Sequence, residues 1–373
     1  MVNRGMVLKA VALLLSVAFI VLVLWVVGVD LFLGLASRLH PAWVLTFIAV
    51  YTLSFVLRAV RWKIIVDAAG GNVSVFRLMT INFSGWLINE VTPAKVGDLL
   101  RISLLSSQGG LPLGESTSTI AVERALDVVS IAIISSIILS AANLAPFIPL
   151  HIKLVALILF AILAVIVALT LALCVAGPGV IDSLRVRKIS ERIYNMLQGL
   201  ALGIKEGIQR LSKNPKALTA ATLLSLPIWF TDALSIYIFL NAAGIPWLAQ
   251  AVMLAVLAGV YPSILLVDTV TLALFTQPFS SISVEICMLA ALLGFASKFF
   301  PVIPGGFGVY EIVIALVLGV TSLPLNLGLA VALLDHMARL TYCSAAGVPS
   351  LVHNGVRVSS AVLGFVNEKP KTR

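Results

Sequence analysis

Ala121-Val-Glu-Arg-Ala-Leu-Asp-Val-Val-Ser-Ile-Ala-Ile-Ile-Ser-Ser-Ile-Ile-Leu-Ser-Ala-Ala142 sets Glu123, Arg124 and Asp127 directly ahead of an uncharged apolar run, Val128 to Ala142. A charge at the bilayer centre costs roughly 2.5–3.5 kcal/mol on insertion scales, so such groups line a polar cavity, a pathway or a partner contact. A second set, Asp335, His336 and Arg339, interrupts the last long apolar segment. Both sets indicate a membrane protein with polar machinery inside the hydrocarbon layer.

Composition agrees. The 373 residues are 60% hydrophobic and only 11% charged, with mean hydropathy +1.11, against about 25% charged in a soluble domain. A spanning helix needs about 20 mostly apolar residues. Val7–Val29, Pro41–Val60, Thr117–Ala142, Ile152–Ala176, Ala217–Leu240, Trp247–Val267 and Leu325–Ala346 qualify, and Glu285–Gly319 is apolar but broken near Pro301–Gly306. The expected fold is an all-α, polytopic integral membrane helical bundle of about eight spans. Spans of that number occupy most of the length, so no further soluble catalytic domain is expected. The apolar core of Val7–Val29 is too long for a signal peptide and no small-x-small cleavage site follows, so it reads as a retained helix. Cys174, Cys287 and Cys343 lie far apart in apolar segments, as buried small residues do.

The net charge of +9 is unevenly spread. Loops Asn143–Leu150 and Asn241–Pro246 carry no charge, whereas Asp182–Lys216, Arg58–Arg77, the N-terminus and Lys369–Arg373 are basic. By the positive-inside rule the basic segments and both termini face the cytoplasm, in a multi-pass plasma-membrane topology. No nucleic acid is needed to explain the charge. Within the basic insertion, Ile189, Ile193, Met196, Leu200, Ile204, Ile208 and Leu211 recur at helical spacing. This stripe suits a helix on anionic headgroups and equally a linker between bundles. The chain thus divides into a first transmembrane half (1–178), a cytoplasmic amphipathic linker helix (179–215), a second transmembrane half (216–350) and a cytoplasmic C-terminal tail (351–373).

The halves are weakly repeated. Asn89-Glu-Val-Thr-Pro-Ala-Lys-Val-Gly-Asp98 precedes the first charged set, and Phe300-Pro-Val-Ile-Pro-Gly-Gly-Phe-Gly-Val309 precedes the second. Pro93 aligns with Pro304 and Gly97 with Gly308 at one offset, and Glu123 meets Asp335 after one inserted residue. Duplicated halves are common in transporters, whose sites lie where broken helices of the two repeats meet. Pro304, Gly305, Gly306 and Gly308 cannot continue a helix, and broken backbone at membrane depth is tolerated only against protein or a wet cavity. A helix restarting near Phe307 would offer free N–H groups to an anion such as a lipid phosphate, with Glu311 on its first turn. A tight loop at the membrane surface is the plainer alternative. Pro93 and Gly97 mark the matching break, and Phe76–Glu90 before it is short enough to be re-entrant.

Around these breaks lie the candidate headgroup-binding residues. Lys95 and Arg101 are candidate phosphate contacts, the arginine through its planar fork, and Asp98 shares a helical face with Arg101; a cytoplasmic loop with an ordinary salt bridge would explain them too. Glu123, Arg124 and Asp127 can bind a cationic or hydroxylated headgroup, or neutralise one another. Arg58 and Arg61 beside Trp62 can be snorkelling anchors or a headgroup clamp. Asp335 and Arg339 repeat the pattern in the last span, and Asp232 and Asp268 are further acids in or beside spans. No metalloprotease, P-loop or dinucleotide pattern occurs, and His40, His151, His336 and His353 are scattered. Neither a metal nor a cofactor is expected.

Leu57-Arg-Ala-Val-Arg-Trp62, the Pro-x-x-x-Gly-Asp-x-x-Arg core of Asn89–Arg101, Glu123-Arg124-x-x-Asp127 and Pro304-Gly-Gly-Phe-Gly-Val-Tyr-Glu311 together resemble the lysylphosphatidylglycerol synthase transmembrane, or flippase-like domain, family from about residue 7 to 350. The resemblance implies a lipid-handling protein, like the membrane half of the multiple peptide resistance factor, which moves aminoacylated phosphatidylglycerol between leaflets. The aminoacyl-transferase domain of the full synthase is absent from this sequence, and His336 stands where the family often has arginine. Related domains occur with polyprenyl-phosphate glycosyltransferases. Three expectations follow: a non-enzymatic flippase or transporter of a phospholipid or polyprenyl-linked lipid; a membrane-embedded enzyme acting on a polyprenyl phosphate, against which stands the lack of a nucleophile-and-base set; and a non-catalytic partner of a membrane glycosyltransferase.

Overall fold

A computed structural model describes residues 27–92, 95–140, 148–176, 179, 191–243, 283–299, 304–321 and 323–356. Those residues form helices α1 (Val29–Ser37), α2 (Pro41–Ala68), α3 (Val75–Val91), α4 (Val96–Gly109), α5 (Leu113–Ser140), α6 (Leu150–Ala176), α7 (Glu191–Ser212), α8 (Pro215–Ala233), α9 (Ser235–Ala242), α10 (Val284–Ser297), α11 (Val309–Leu318) and α12 (Leu325–His353), with 3-10 turns at Pro304–Gly306 and Gly319–Thr321. The protein is an all-α membrane bundle, with no strand among the described residues. By length and hydropathy, Pro41–Ala68, Ile152–Leu169 and Pro215–Ala242 can each cross a bilayer. The expected spans at Thr117–Ala142 and Leu325–Ala346 fall on α5, as far as Ser140, and on α12. Most of Val7–Val29, all of Trp247–Val267, and Pro93, Pro301 and Asp268 lie outside the described residues.

Local chemistry sets the ends of several helices. Pro41 opens α2, and His40 accepts the Ala42 N–H through Nδ1 at 3.3 Å. Ser74 caps α3 through the Arg77 N–H, and Ser283 caps α10 through that of Ile286. At about 1.5 Å per residue, α3 with 17 residues, α4 with 14, α10 with 14 and α11 with 10 are each shorter than the roughly 30 Å hydrocarbon core. Each half therefore runs short helix, break, short helix, long helix: α3–α4–α5 and α10–α11–α12. The first break turns at Lys95, whose φ of 55° is left-handed. The second turns at Gly305, Gly306 and Gly308, all at positive φ. The two breaks expected from the sequence are therefore real, and the turn at Pro304–Gly306 packs against α3.

The two halves share one bundle. Helix α8 packs along α2, and α12 along α3. The amphipathic helix α7 lies on α5, where Gly203 and Gly207 face Gly114 and Ser118 closely enough to exclude a Cβ. Arg210 Nη1 extends this contact to Glu115 Oε2 at 3.2 Å and the Ala69 carbonyl at 3.3 Å. Of the apolar stripe read from the sequence, Leu211 is buried in the core, while the close approach to α5 is made by glycines outside the stripe. Helix α6 differs from the rest: Leu154, Val155, Leu157, Ile158, Val165 and Leu169 are all exposed, as a lipid-facing surface requires.

The core consists of two apolar clusters, one containing Phe55, Val128 and Ile228, the other Trp62, Ile120 and Ala221. On α2, α5 and α8 alike, polar residues stand at the switch between them: Arg58 and Arg61, Glu123 and Asp127, and Ser225. A buried polar layer thus crosses the bundle.

The α3–α4 hairpin depends on Gly97, where a Cβ would collide with the Gly85 carbonyl oxygen and lie 2.7 Å from Asn89 Oδ1. Gly97→Ala is expected to destabilise the detergent-purified protein by about 1–3 kcal/mol, as overpacking does. Gly199→Ala, in open space on α7, is expected to leave the midpoint of thermal unfolding unchanged or slightly raised.

Candidate functional site

The polar layer is an ion-pair network in which Arg58 Nη1, Arg61 Nε and Nη2, Arg101 Nε and Asp232 Oδ1 make no hydrogen bond among the described residues. Arg58 reaches Asp232 at 2.5 Å, and its guanidinium lies between the rings of Trp86 and Trp229, at 4.7 and 4.9 Å from their centroids. Arg61 donates to Asp127 Oδ1 at 2.7 Å and to Ser225 at 2.8 Å. Arg101 grips Glu123 with both terminal nitrogens, at 3.0 and 2.7 Å, and lies over Trp62 at 4.3 Å. Arg124 takes Asp98 through Nε and Nη2 at 3.0 and 2.9 Å, and reaches Asp127 at 3.0 Å. The Trp229 indole N–H donates to Asp127 at 2.9 Å. Four guanidinia thus meet the four carboxylates of Asp98, Glu123, Asp127 and Asp232. Ion pairs this deep cost several kcal/mol of desolvation per ion, offset only by full pairing.

This arrangement corrects several sequence expectations. Arg58 and Arg61 are neither snorkelling anchors nor a headgroup clamp, because both are buried and turned inward onto Asp232 and Asp127. Arg101 does not offer its fork to a phosphate, since Glu123 occupies it and the side chain is wholly buried. Glu123 and Asp127 take the neutralising role of the two left open for them. Asp335 and Arg339 likewise close on each other, at 3.0 Å, with Tyr310 Oη donating to Asp335 at 2.5 Å and Arg339 Nη2 to the Asp232 carbonyl at 2.9 Å. Nor is the N–H of Gly308 free for an anion: Glu311 Oε2 accepts it at 2.6 Å. Gly305 and Gly306 act sterically, pressed against the Glu90 carbonyl and the Lys298 side chain respectively.

Beside the network lies a cavity of about 290 Å³. Five ionic side chains line it: Glu90 at the end of α3, Lys95 in the first break, Asp98 on α4, Arg124 on α5 and Lys298 just past α10. The lining also includes apolar residues, among them Leu163, Ile166 and Val167 of α6, Phe295 and Trp229. Lys298 Nζ lies 3.5 Å from Glu90 Oε2 and 4.4 Å from the centre of the Tyr310 ring. Lys95 makes no side-chain hydrogen bond or ion pair with a described residue, although it stands amid Glu90, Asp98 and Arg124. Trp86 Nε1 is buried and likewise without a partner among the described residues.

Of the residues proposed from sequence, Lys95, Asp98 and Arg124 therefore face the cavity. Arg58, Arg61, Arg101, Glu123, Asp127, Asp335 and Arg339 build the scaffold behind or beside it. Sequence reasoning missed Glu90, Lys298 and Trp86. Glu90 stands in the quoted Asn89–Asp98 stretch, and Lys298 is the sole charge between Glu285 and Glu311, so both carried a signal.

The model of the lysylphosphatidylglycerol synthase TM region family matches residues 10–267. A UPF0104 membrane protein of Pyrococcus horikoshii is 26% identical over 63% of this chain and 75% of its own length. Another, of Methanothermobacter thermautotrophicus, is 19% identical over 95% of this chain and 98% of its own. Glycosyltransferase AglD of Haloferax volcanii is 22% identical over 94% of this chain, but the match spans only 55% of that protein. No solved structure matches.

The pairing logic has a measurable consequence at Arg58 and Asp232. Arg58→Met alone, which leaves a carboxylate unpaired, is expected to cost about 3–5 kcal/mol. Arg58→Met with Asp232→Leu is expected to recover most of that in a double-mutant cycle of thermal stability.

Proposed function

We propose that this chain, a member of the lysylphosphatidylglycerol synthase TM region family, is a lipid transporter that passes a phospholipid or polyprenyl-linked lipid between leaflets. One observation carries the reading: the cavity where the two breaks meet is lined by both ionic and apolar side chains. Lys95 and Lys298 offer charge to a phosphate, Trp86 Nε1 offers a neutral donor, and Glu90 and Asp98 suit hydroxyls or an amine. Beside them, α6 gives acyl or prenyl chains an apolar surface continuous with lipid. A headgroup in such a groove avoids the desolvation that makes unassisted crossing slow. The work is binding and passage, without covalent chemistry, in a plasma-membrane protein with both termini in the cytoplasm.

A second reading rests on AglD, about half of which aligns with nearly all of this chain. In it the bundle holds or presents a lipid to a membrane glycosyltransferase. Copurification with such an enzyme, and no lipid movement by the bundle alone, would favour it.

The test of transport is leaflet exchange in reconstituted vesicles carrying fluorescent phospholipids or polyprenyl phosphates. Wild-type protein is expected to accelerate exchange of at least one phosphate-bearing lipid. Lys95→Ala should slow it by about tenfold or more, the loss expected for one charge-assisted hydrogen bond. No acceleration of any lipid class in either direction contradicts transport.

A further inference from the structure

His336 is wholly buried on α12, and its two ring nitrogens meet unlike groups. Nδ1 lies 2.5 Å from Glu311 Oε1. Nε2 lies 3.0 Å from Lys298 Nζ and 3.3 Å from Glu90 Oε2. Phe307 stacks on the ring at 4.1 Å and Tyr310 meets it edge-on, fixing its plane. The remaining charges nearby, Asp335 and Arg339, are closed on each other and on Tyr310. The imidazole is therefore a hydrogen-bonding link between the second helix break, through Glu311, and the cavity lining, through Lys298 and Glu90.

Hydrogen-bond valence fixes what this geometry means. Glu311 accepts on both oxygens, from the Gly308 N–H and from the ring, so Nδ1 carries a hydrogen. Nε2 has two partners: with a lone pair it accepts from the Lys298 ammonium at 3.0 Å, and with a proton it donates to Glu90 Oε2 at 3.3 Å, so the site accommodates both the neutral and the charged ring. A proton added at Nε2 converts that acceptor into a donor. The new N–H has Glu90 in front of it, and the imidazolium repels the Lys298 ammonium. Lys298 already lines the cavity, on a flexible stem.

We propose that His336 is a proton-binding site linked to the cavity: its protonation transfers Lys298 from His336 and Glu90 to a lipid-borne phosphodiester. The inference rests on the reading of the cavity as a headgroup site. The proton enters from water and forms the Nε2–H bond; the lysine keeps its own protons, and no covalent bond breaks. Linkage makes the coupling reciprocal, so headgroup binding draws a proton onto the protein. Phosphodiester affinity rises as pH falls and the imidazole takes up its proton, and the gain is lost as pH rises again.

The test uses the full chain in neutral detergent with fluorescent phosphatidylglycerol, whose phosphodiester stays singly charged across the pH series. Wild-type affinity is expected to tighten on the order of tenfold between pH 8 and 5.5, within the usual range of site–site coupling. His336→Gln is expected to flatten that profile. Independently of any variant, calorimetry of wild-type protein in two buffers of unlike ionisation enthalpy should show net proton uptake on lipid binding near pH 7. An unchanged slope in His336→Gln, or lipid binding with no proton uptake, overturns the coupling while leaving the cavity reading intact. Absence of lipid binding at every pH overturns both. Dimethyl phosphate run in parallel is expected to bind far more weakly than the lipid; equal pH-linked binding of both would mark a free-anion site and overturn the lipid assignment.

Discussion

A charge buried in a membrane bundle must be paired, and most of this structure answers that constraint. Arg58, Arg61, Arg101 and Arg124 are matched to Asp98, Glu123, Asp127 and Asp232, and three indoles cover the guanidinium faces. The pairs join α2, α4, α5 and α8 across both halves of the chain. Removing one partner would leave a bare ion in a low-dielectric setting, so the network ties helix positions together more strictly than apolar packing does. The small residues follow from the same demand. Gly85 and Gly97 let α3 and α4 approach closely, bringing Arg101 to Glu123.

Because the scaffold neutralises itself, the residues outside it acquire a distinct role. Lys95 and Lys298 belong to the two breaks and face the cavity. Short helices make this possible, since a chain that stops partway through the bundle exposes loop residues at depth, where protein and water can satisfy them. The apolar face of α6 completes an amphipathic space that fits a lipid better than a free solute. His336 lies behind that space, touching the second break through Glu311 and Lys298 and the helix that leads into the first through Glu90.

Much of this was legible in the sequence. Proline and glycine spacing located both breaks, the common offset of Gly97 and Gly308 anticipated the repeated helix pattern, and the helical spacing of the Ile189–Leu211 stripe anticipated helix α7. What could not be read was the partner of each charge. Spacing within a helix fixes a face but says nothing of what the facing helix presents: Asp232 lies far along the chain from Arg58, yet the two touch. For that reason Arg101 looked like a phosphate contact and is a strut, whereas Lys298, isolated in an apolar segment, drew no attention and lines the site. Tertiary proximity also decided between the open roles of Glu123 and Asp127.

The central claim is that a hydrated, headgroup-sized space exists inside the bundle beside a self-neutralised charge layer. Its most direct measurement is cysteine accessibility at Ala125, which lines the cavity, and at Ala332, which packs in the core, with the native cysteines replaced. A water-soluble, membrane-impermeant thiol reagent should label Ala125→Cys in reconstituted protein, more slowly when phosphate-bearing lipid is added, and should leave Ala332→Cys unmodified. Equal protection of both positions would mean a dry, solid interior and would contradict the account.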